Sequence, residues 1–302
     1  LKNGEYISGQ ELAEKSCKSR AAVWKAVKSL QKDGYVINAV TNKGYSLTGE
    51  GDILSGAKIK NAMKHDIAVI HYAETDSTNT QAKRLLSNGE ANGTLLVTAD
   101  NQTAGRGRQG KTFYSPPRTG IYMSLVIHPN TMLQNAVTAT TAAAVAVCRA
   151  IERLTDIRPQ IKWVNDVYVN NKKICGILTE AVSDFELGIV TSVIVGIGIN
   201  IKTNDFPEDV ERAGSLNTDI RRADLIGAVA DELLDIIGGK YSDFIDYYRN
   251  HSMIIGKHIN YIENGIVTPA TAISIDEAGG LVVKTENGTE KTLKSGEISI
   301  RW

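Results

Sequence analysis

Cysteine is scarce. Cys17, Cys148 and Cys175 are the only three in 302 residues, and no two form a Cys-x-x-Cys pair. An odd, widely spaced set excludes a disulfide framework and fits free thiols in a reducing cytoplasm. The five histidines (His65, His71, His128, His251, His258) show no His-x-x-x-His or mixed His/Cys ligand spacing, so no zinc site is expected. No apolar run reaches the ~18 residues of a membrane span. The opening Leu1-Lys2-Asn3-Gly4-Glu5 has no signal-peptide apolar core. A cytoplasmic protein without a membrane partner is therefore expected. Neither sign of charge is in excess, with 34 basic against 34 acidic residues. That balance excludes binding to nucleic acid through bulk charge and confines any basic patch to a local region. There is no Gly-x-Ser-x-Gly elbow, the chain is not read as a P-loop enzyme, and no internal repeat stands out.

What is present falls into three segments, expected as domains at 1–50, 51–252 and 253–302. In the first, Ser8-Gly9-Gln10-Glu11 has a capping-box pattern and starts a short helix to Lys15. Ser19 caps a second helix, Arg20 to Lys32, with Ala22, Val23, Ala26, Val27 and Leu30 as its apolar stripe. Strands at 35–37 and 45–47 follow. Helix, turn, helix and hairpin predict a winged helix-turn-helix. Residues 1–48 carry eight lysines and arginines against four acids, a local surplus within a neutral chain. Recognition helices place their first residues against base edges and lysines or arginines on phosphates. Ser19, Arg20, Lys25, Lys28 and the hairpin's Lys43 are the candidate DNA-binding residues. Trp24 reads as a core or hinge residue.

The second segment alternates short strands with few helices. Strands are expected at 67–72, 94–99, 121–128, 160–164, 167–169, 174–182 and 188–201. Helices are expected at 80–87 and 136–154, with one or two more between 225 and 248. Hairpins dominate, which predicts an α+β fold with a mixed, largely antiparallel sheet rather than a doubly wound one. The third segment has alternating runs at 257–263, 268–276, 281–285 and 290–293 between Gly-containing turns, as in a small SH3-like β-barrel.

The chemistry-bearing residues concentrate in the second segment. Gly105-Arg106-Gly107-Arg108-Gln109-Gly110 joins two apolar strands. Glycine lets backbone approach a ligand closely, and arginine offers a fixed fork of donors to phosphate or carboxylate. By itself this loop also fits an exposed turn or a short RNA-binding patch. Gln102 precedes it, and Phe113 to Pro116 follow as an apolar wall. Lys162-Trp163-Val164-Asn165-Asp166 forms a tight polar turn, and Lys172-Lys173-Ile174-Cys175-Gly176 enters a strand. On spacing alone these lysines fit equally a solvated hairpin or an anion pocket. Ser77-Thr78-Asn79 stands at a helix start, where hydroxyls either cap or meet a ligand.

Together these motifs resemble the bacterial biotin–protein ligases of the bifunctional, operon-repressing kind. Gly196-Ile197-Gly198-Ile199-Asn200 is similar to that family's glycine-rich strand, and Glu297 to Arg301 to its C-terminal end. The resemblance covers all three segments in order. It implies an ATP-dependent, AMP-forming biotin–[acetyl-CoA-carboxylase] ligase with biotin, ATP and Mg²⁺. Biotinyl-5′-AMP is made first, and the biotinyl group then passes to a lysine of a biotin carboxyl carrier domain. It also implies repression at operator DNA by a homodimer carrying the adenylate. Carried over by similarity, Ser77, Thr78, Gln102, Arg106, Phe113, Lys173 and Gly176 bind biotin. Gly105, Gly107, Arg108, Gly110, Lys111, Asn165, Asn200 and Arg301 bind ATP or the adenylate. Arg106, Arg108, Lys173 and Asp166 carry the catalysis, and the metal lies near Asp166. Phe113 stands where the family commonly has tryptophan. Val164 replaces a proline, which is expected to loosen that turn, and Gln109 replaces a basic residue. A non-enzymatic biotin-sensing regulator and a lipoate–protein ligase are the two alternatives.

Overall fold

The computed structural model describes residues 4–32, 35–91, 93–128, 136–184, 189–208, 210, 212–240, 243–263, 265–294 and 297–300. The chain divides into two compact units, residues 1–55 and 56–302.

The first unit contains α1 (Gly9–Lys15), α2 (Arg20–Lys32) and an antiparallel hairpin of β1 (Tyr35–Val40) and β2 (Gly44–Glu50). Ser8 Oγ accepts the Glu11 N–H at 3.1 Å. The second half of the capping box does not form, because the Glu11 carboxylate pairs instead with Lys15 at 2.8 Å. Ser19 Oγ accepts the Ala22 N–H and starts α2. Ala13, Val23, Val27 and Ile37 form the core of this unit. The expected stripe is narrower than predicted: Ala26 and Leu30 are exposed. Trp24 is no core residue, since 53% of it is exposed. Positions 20, 24 and 28 recur at helical spacing along one exposed stripe, beside the stripe that buries Val23 and Val27.

The second unit is built on a seven-stranded sheet. Its strands are β3 (Ala68–Tyr72), β4 (Leu95–Ala99), β5 (Gly120–Ile127), β6 (Gln160–Lys162), β7 (Asp166–Val169), β8 (Lys172–Asp184) and β9 (Ile189–Asn200). Their spatial order is β3-β4-β5-β9-β8-β7-β6, with β3 and β4 parallel and every other pair antiparallel. The parallel pair needs a crossover, supplied by α4 (Thr78–Ser87). Ala82 and Leu85 of α4 pack on Leu95, Val97, Val126 and Ile194. The two-residue period of a strand then assigns faces. Ser124 of β5, Gly196 and Gly198 of β9, and Gly176, Leu178 and Glu180 of β8 share the α4 side. On the opposite side, Thr179 is bonded by Thr140 of α5 (Ala136–Leu154) at 2.8 Å. Helix α6 (Arg222–Ile237) packs on α5 and β5. The short helices α3 (Gly56–Asn61) and α7 (Phe244–Asn250) complete the unit. The sequence reading passes over α3, whose six residues are too few to show a period.

The last fifty residues form a five-stranded antiparallel sheet ordered β13-β12-β11-β10-β14. Its strands are β10 (His258–Glu263), β11 (Ile266–Ile275), β12 (Leu281–Thr285), β13 (Glu290–Leu293) and β14 (Glu297–Ile300). Strand β14 was not read as a strand. It pairs along β10, a contact no local pattern announces. This sheet belongs to the second unit. The Trp163 indole N–H donates to the Gly279 carbonyl at 2.9 Å, and Arg249 of α7 donates to the Ile275 carbonyl at 2.7 Å.

Among the described residues, the largest fully buried side chain is Arg222, paired with Asp100 at 2.8 Å where β4 ends. His71 lies on the other side of that carboxylate at 3.6 Å. This pair anchors α6 under the start of the Gly/Arg loop. Arg222→Leu removes one partner of a buried pair and should lower the unfolding free energy by about 3 kcal/mol, measured by urea denaturation.

Candidate functional site

Two glycines make the floor of the site. Gly176 on β8 and Gly198 on β9 lie directly opposite each other in the ladder. A Cβ on Gly198 would stand 2.4 Å from the Phe113 ring, and one on Gly176 would stand 3.3 Å from it. The missing side chains therefore leave a depression that the Phe113 ring fills. Gly196, one step along, admits the Asn79 amide, which a Cβ would meet at 2.2 Å.

Above this floor is a cavity of about 650 Å³. The Gly/Arg loop, the start of α4, the Lys162–Asp166 turn, and Ile298 of β14 line it. The loop is held at its base. Phe113 N–H donates to the Gly105 carbonyl at 2.9 Å, and Gly107 N–H to the Lys111 carbonyl at 2.7 Å. Gln109 sits at φ 54°, in the left-handed region. Gly105 faces the protein rather than the cavity. A Cβ there would meet the Phe113 carbonyl at 2.3 Å, so this glycine serves loop packing.

Polar side chains are oriented in a chain. Thr78 N–H donates to Gln102 Oε1 at 2.8 Å, and Gln102 Nε2 donates to Ser115 Oγ at 2.8 Å. Ser124 Oγ donates to Asn79 Oδ1 at 2.6 Å, and Asn79 Nδ2 donates to Glu180 Oε2 at 2.8 Å. Ser77 precedes α4 but its hydroxyl caps nothing, which leaves it to the cavity it lines.

The charges are uneven. Among the described residues, the lining holds Arg106, Arg108, Lys111, Lys162 and Lys173 against the single carboxylate of Asp166. Lys173 Nζ stands 2.7 Å from Asp166. Arg108 donates to Asn165 Oδ1 at 3.1 Å, and Asn165 Nδ2 donates to the Ile177 carbonyl. Arg106 reaches Glu180 at 3.1 Å, and Lys83 holds the same carboxylate at 2.8 Å. Burial pushes the Glu180 carboxyl up. Hydrogen bonds from Lys83 and Asn79, with the charges of Lys83 and Arg106, outweigh burial and hold it below its ordinary 4.5.

The structure thus brings together Ser77, Thr78, Gln102, Arg106, Gly107, Arg108, Gly110, Lys111, Phe113, Asn165, Asp166, Lys173 and Gly176. Asn200 is not in the lining. It is buried, and its amide donates to the Gly214 carbonyl at 3.1 Å, which ties the 212–217 segment to β9. Arg301 lies outside the described residues. Glu180 and Ser124 escape the sequence motifs altogether, while Asn79 and Trp163 stand within them without an assigned role and line the cavity. Glu180 and Ser124 follow from strand parity with Gly176 and Gly196, a signal that appears only once the β8–β9 register is known. The Trp163–Val164 peptide is cis. The expected looseness at Val164 is countered by Tyr248, whose hydroxyl donates to the Val164 carbonyl, and by the Trp163 bond to Gly279.

Residues 105–112 also spell the P-loop formula Gly-x-x-x-x-Gly-Lys-Thr, a match the sequence reading overlooked. A P-loop runs from a strand into a helix whose N-terminus meets the phosphates. Here a single 3-10 turn at Arg108–Gly110 is followed by strand β5, so the architecture is a different one.

Comparison with known proteins agrees with this geometry. Residues 72–200 match the Biotin/lipoate A/B protein ligase family, residues 1–46 an HTH domain, and residues 254–301 the Biotin protein ligase C terminal domain. The Bifunctional ligase/repressor BirA of Bacillus subtilis is 35% identical over 98% of this chain and 94% of its own length. The chain belongs to the biotin–protein ligase family. The Escherichia coli member, also a Bifunctional ligase/repressor BirA, is 29% identical over 100% of this chain and 95% of its own. Among solved structures, the Aquifex aeolicus biotin protein ligase in complex with biotin and ATP superposes with a TM-score of 0.65 and 28% identity. It spans 78% of this chain and 99% of that one. No described helix is long and apolar enough to cross a membrane.

Asp76 sets the start of α4. It accepts the Ser77 N–H at 2.8 Å and pairs with Arg84 at 2.5 Å. The Arg84 hydrogen bond outweighs burial, and with the Ser77 N–H it draws the carboxyl from 3.8 down to about 2. A depressed folded pKa stabilises above the unfolded value. The contribution of Asp76 should be complete above pH 3.8 and vanish as pH falls through about 2. Urea unfolding of the parent and Asp76→Asn should therefore differ at neutral pH and converge in strong acid.

Proposed function

We propose that this protein is an ATP-dependent biotin–protein ligase that also represses transcription from operator DNA. The observation that carries the reading is the cavity itself. Five cations and an oriented hydroxyl–amide chain stand over a glycine floor, under a loop able to cover a bound anion.

In the first step the biotin carboxylate attacks the α-phosphate of ATP, an acyl–phosphate bond forms, and pyrophosphate leaves. Two anions must meet, so the barrier is largely electrostatic. Arg106 and Lys173 both line the cavity and neutralise the carboxylate and the α-phosphate. Ser77, Thr78 and Gln102 orient biotin, with the Phe113 ring as apolar wall. Arg108, Lys111 and the Gly107 and Gly110 backbone lie along the nucleotide, and Asn165 holds Arg108 toward it. In the second step a carrier-domain lysine attacks the acyl carbon, AMP leaves, and the amine loses a proton. Asp166 is placed to receive that proton or to orient the amine.

Asp166 is the single lining carboxylate, and no group of three or more His, Cys, Asp or Glu suited to a metal occurs among the described residues. That donor set suits a magnesium ion held mainly by nucleotide phosphates, with Asp166 as its one protein carboxylate. When bound, such an ion screens phosphate charge and assists departure of pyrophosphate.

For the repressor role, Arg20, Lys25 and Lys28 of α2 and Lys43 of the hairpin are exposed. Trp24 lies between Arg20 and Lys28 on the same stripe, a large apolar surface flanked by cations. The Ser19 hydroxyl already caps α2, so its contribution is to set the helix start. A homodimer formed with the adenylate bound would present two such helices to a two-fold operator.

Arg106→Ala and Lys173→Ala should each lower biotin-dependent pyrophosphate release by about 10²-fold or more, the scale for losing one preorganised charge donor. Wild-type rates in either variant would sink the site assignment. Lys25→Ala and Lys28→Ala should each weaken operator binding and reduce the slope of log K against log salt by about one. An unchanged slope in filter-binding titrations would remove those lysines from the phosphate contacts.

A further inference from the structure

Glu180 lies outside the cavity lining yet touches the residues that shape it. Its carboxylate is 16% exposed and takes Asn79 Nδ2 and Lys83 Nζ at 2.8 Å each and Arg106 Nη1 at 3.1 Å. Arg106 sits on a loop whose own residues are mostly glycine, lysine and glutamine, so its backbone alone gives the guanidinium no fixed place. The ion pair gives it one. Only Nη1 faces Glu180. The rest of the fork stays open to an anion, and a guanidinium recognises a carboxylate or phosphate best through two parallel bonds. Lys83 bonds Oε1 of that carboxylate and Asn79 bonds Oε2, and the Lys83 charge neutralises it. The Lys83–Glu180–Arg106 cluster therefore keeps one positive charge in excess at the edge of the cavity.

We infer that Glu180 is a positioning residue for the acyl-adenylate: it anchors Arg106 through one nitrogen so that the covering loop carries a cation already aimed at the ligand's anhydride. The inference rests on the ligase reading above. Without the anchor, Arg106 must be ordered by the ligand alone, and the intermediate is held less well. Ground-state retention of the adenylate suffers more than the chemical step, since Glu180 itself touches no reacting atom. A purely structural role would act through Asn79 and would persist whether or not Arg106 is present.

The test is a double-mutant cycle on the full chain with Glu180→Gln, Arg106→Ala and the pair. Pre-formed biotinyl-5′-AMP is bound to each chain, excess ligand is removed, and release is followed by tryptophan fluorescence, Trp163 being part of the lining. Glu180→Gln should speed release by about tenfold, as for loss of a charge-assisted hydrogen bond. In the Arg106→Ala background it should add no more than about a twofold change. Release at the parent rate in Glu180→Gln, or an undiminished effect of Glu180→Gln without Arg106, overturns the inference. If Glu180→Gln does not fold, Glu180→Asp takes its place in the same cycle, because it keeps the charge but draws the carboxylate back from Arg106. Absence of pyrophosphate release by the parent chain would instead strike down the ligase reading and this inference with it. Turnover by the parent with an inert Glu180→Gln strikes down the inference alone.

Discussion

The site depends on two side chains that are not there. Gly176 and Gly198 face each other across β8 and β9, and any Cβ at Gly198 would collide with the Phe113 ring. Removing those two side chains from the middle of a close-packed sheet would ordinarily cost stability, because voids forfeit contacts on every wall. The Phe113 ring restores the contacts, and in doing so draws the loop behind it across the sheet. Arg106 then comes within reach of Glu180, and Arg108 of Asn165. A ring docked on a glycine floor thus converts a flexible, glycine-rich connection into one with a defined place over the sheet. Phenylalanine suits this position because its ring has no polar atom to satisfy once buried.

The second constraint is electrostatic. Five cations around one cavity would repel one another if each were bare. In the resting structure the central ones are lent neighbours: Lys173 to Asp166, Arg106 to Glu180, Arg108 to the neutral amide of Asn165. Lys173 and Arg106 are 34% and 44% exposed in these pairs. Ion pairs so open to solvent are worth roughly 0–1 kcal/mol each. They are strong enough to keep the cations in place; the Lys173–Asp166 pair is weak enough to yield to a phosphate anhydride, whereas Arg106 can keep its bond to Glu180 and meet the anion through the rest of its fork. Glu180 differs from Asp166 in having a second cation, Lys83.

Much of this was legible in the chain, and the exceptions share a cause. Helices α2 and α5 and strands β12 and β13 begin and end where local pattern puts them, since their periodicity and turn residues are strong. The winged unit and the mixed sheet follow from hairpin signals. The anion site follows from arginine–glycine alternation joined to the Lys-Trp-Val-Asn-Asp and Lys-Lys-Ile-Cys-Gly runs. What failed depended on register or on long-range packing. Glu180 became a site residue only when β8 was laid against β9. Asn200 had the right strand but its amide was claimed by Gly214. Trp24 reads as a core or hinge residue because large aromatics are usually buried, yet the small first unit closes its core with Val23, Val27 and Ile37 and leaves the indole outside. The Gly-x-x-x-x-Gly-Lys-Thr match shows the converse: a pattern present in the letters carries no P-loop because no helix follows it.

Register also explains why the C-terminal sheet is part of the second unit's site. Ile298 lies on β14, the edge strand of that sheet, and enters the cavity wall only because β14 pairs with β10. The β11–β12 turn presents the Gly279 carbonyl to the Trp163 indole. Trp163 stands two residues before Asn165 and three before Asp166, so a hydrogen bond from the small sheet fixes the turn that holds Arg108 and Lys173. Buried indole N–H groups need a partner, and here the partner comes from more than a hundred residues along the chain. The last fifty residues therefore act on the chemistry through position, by fixing the geometry of a turn that the large sheet alone would leave without a support on that side.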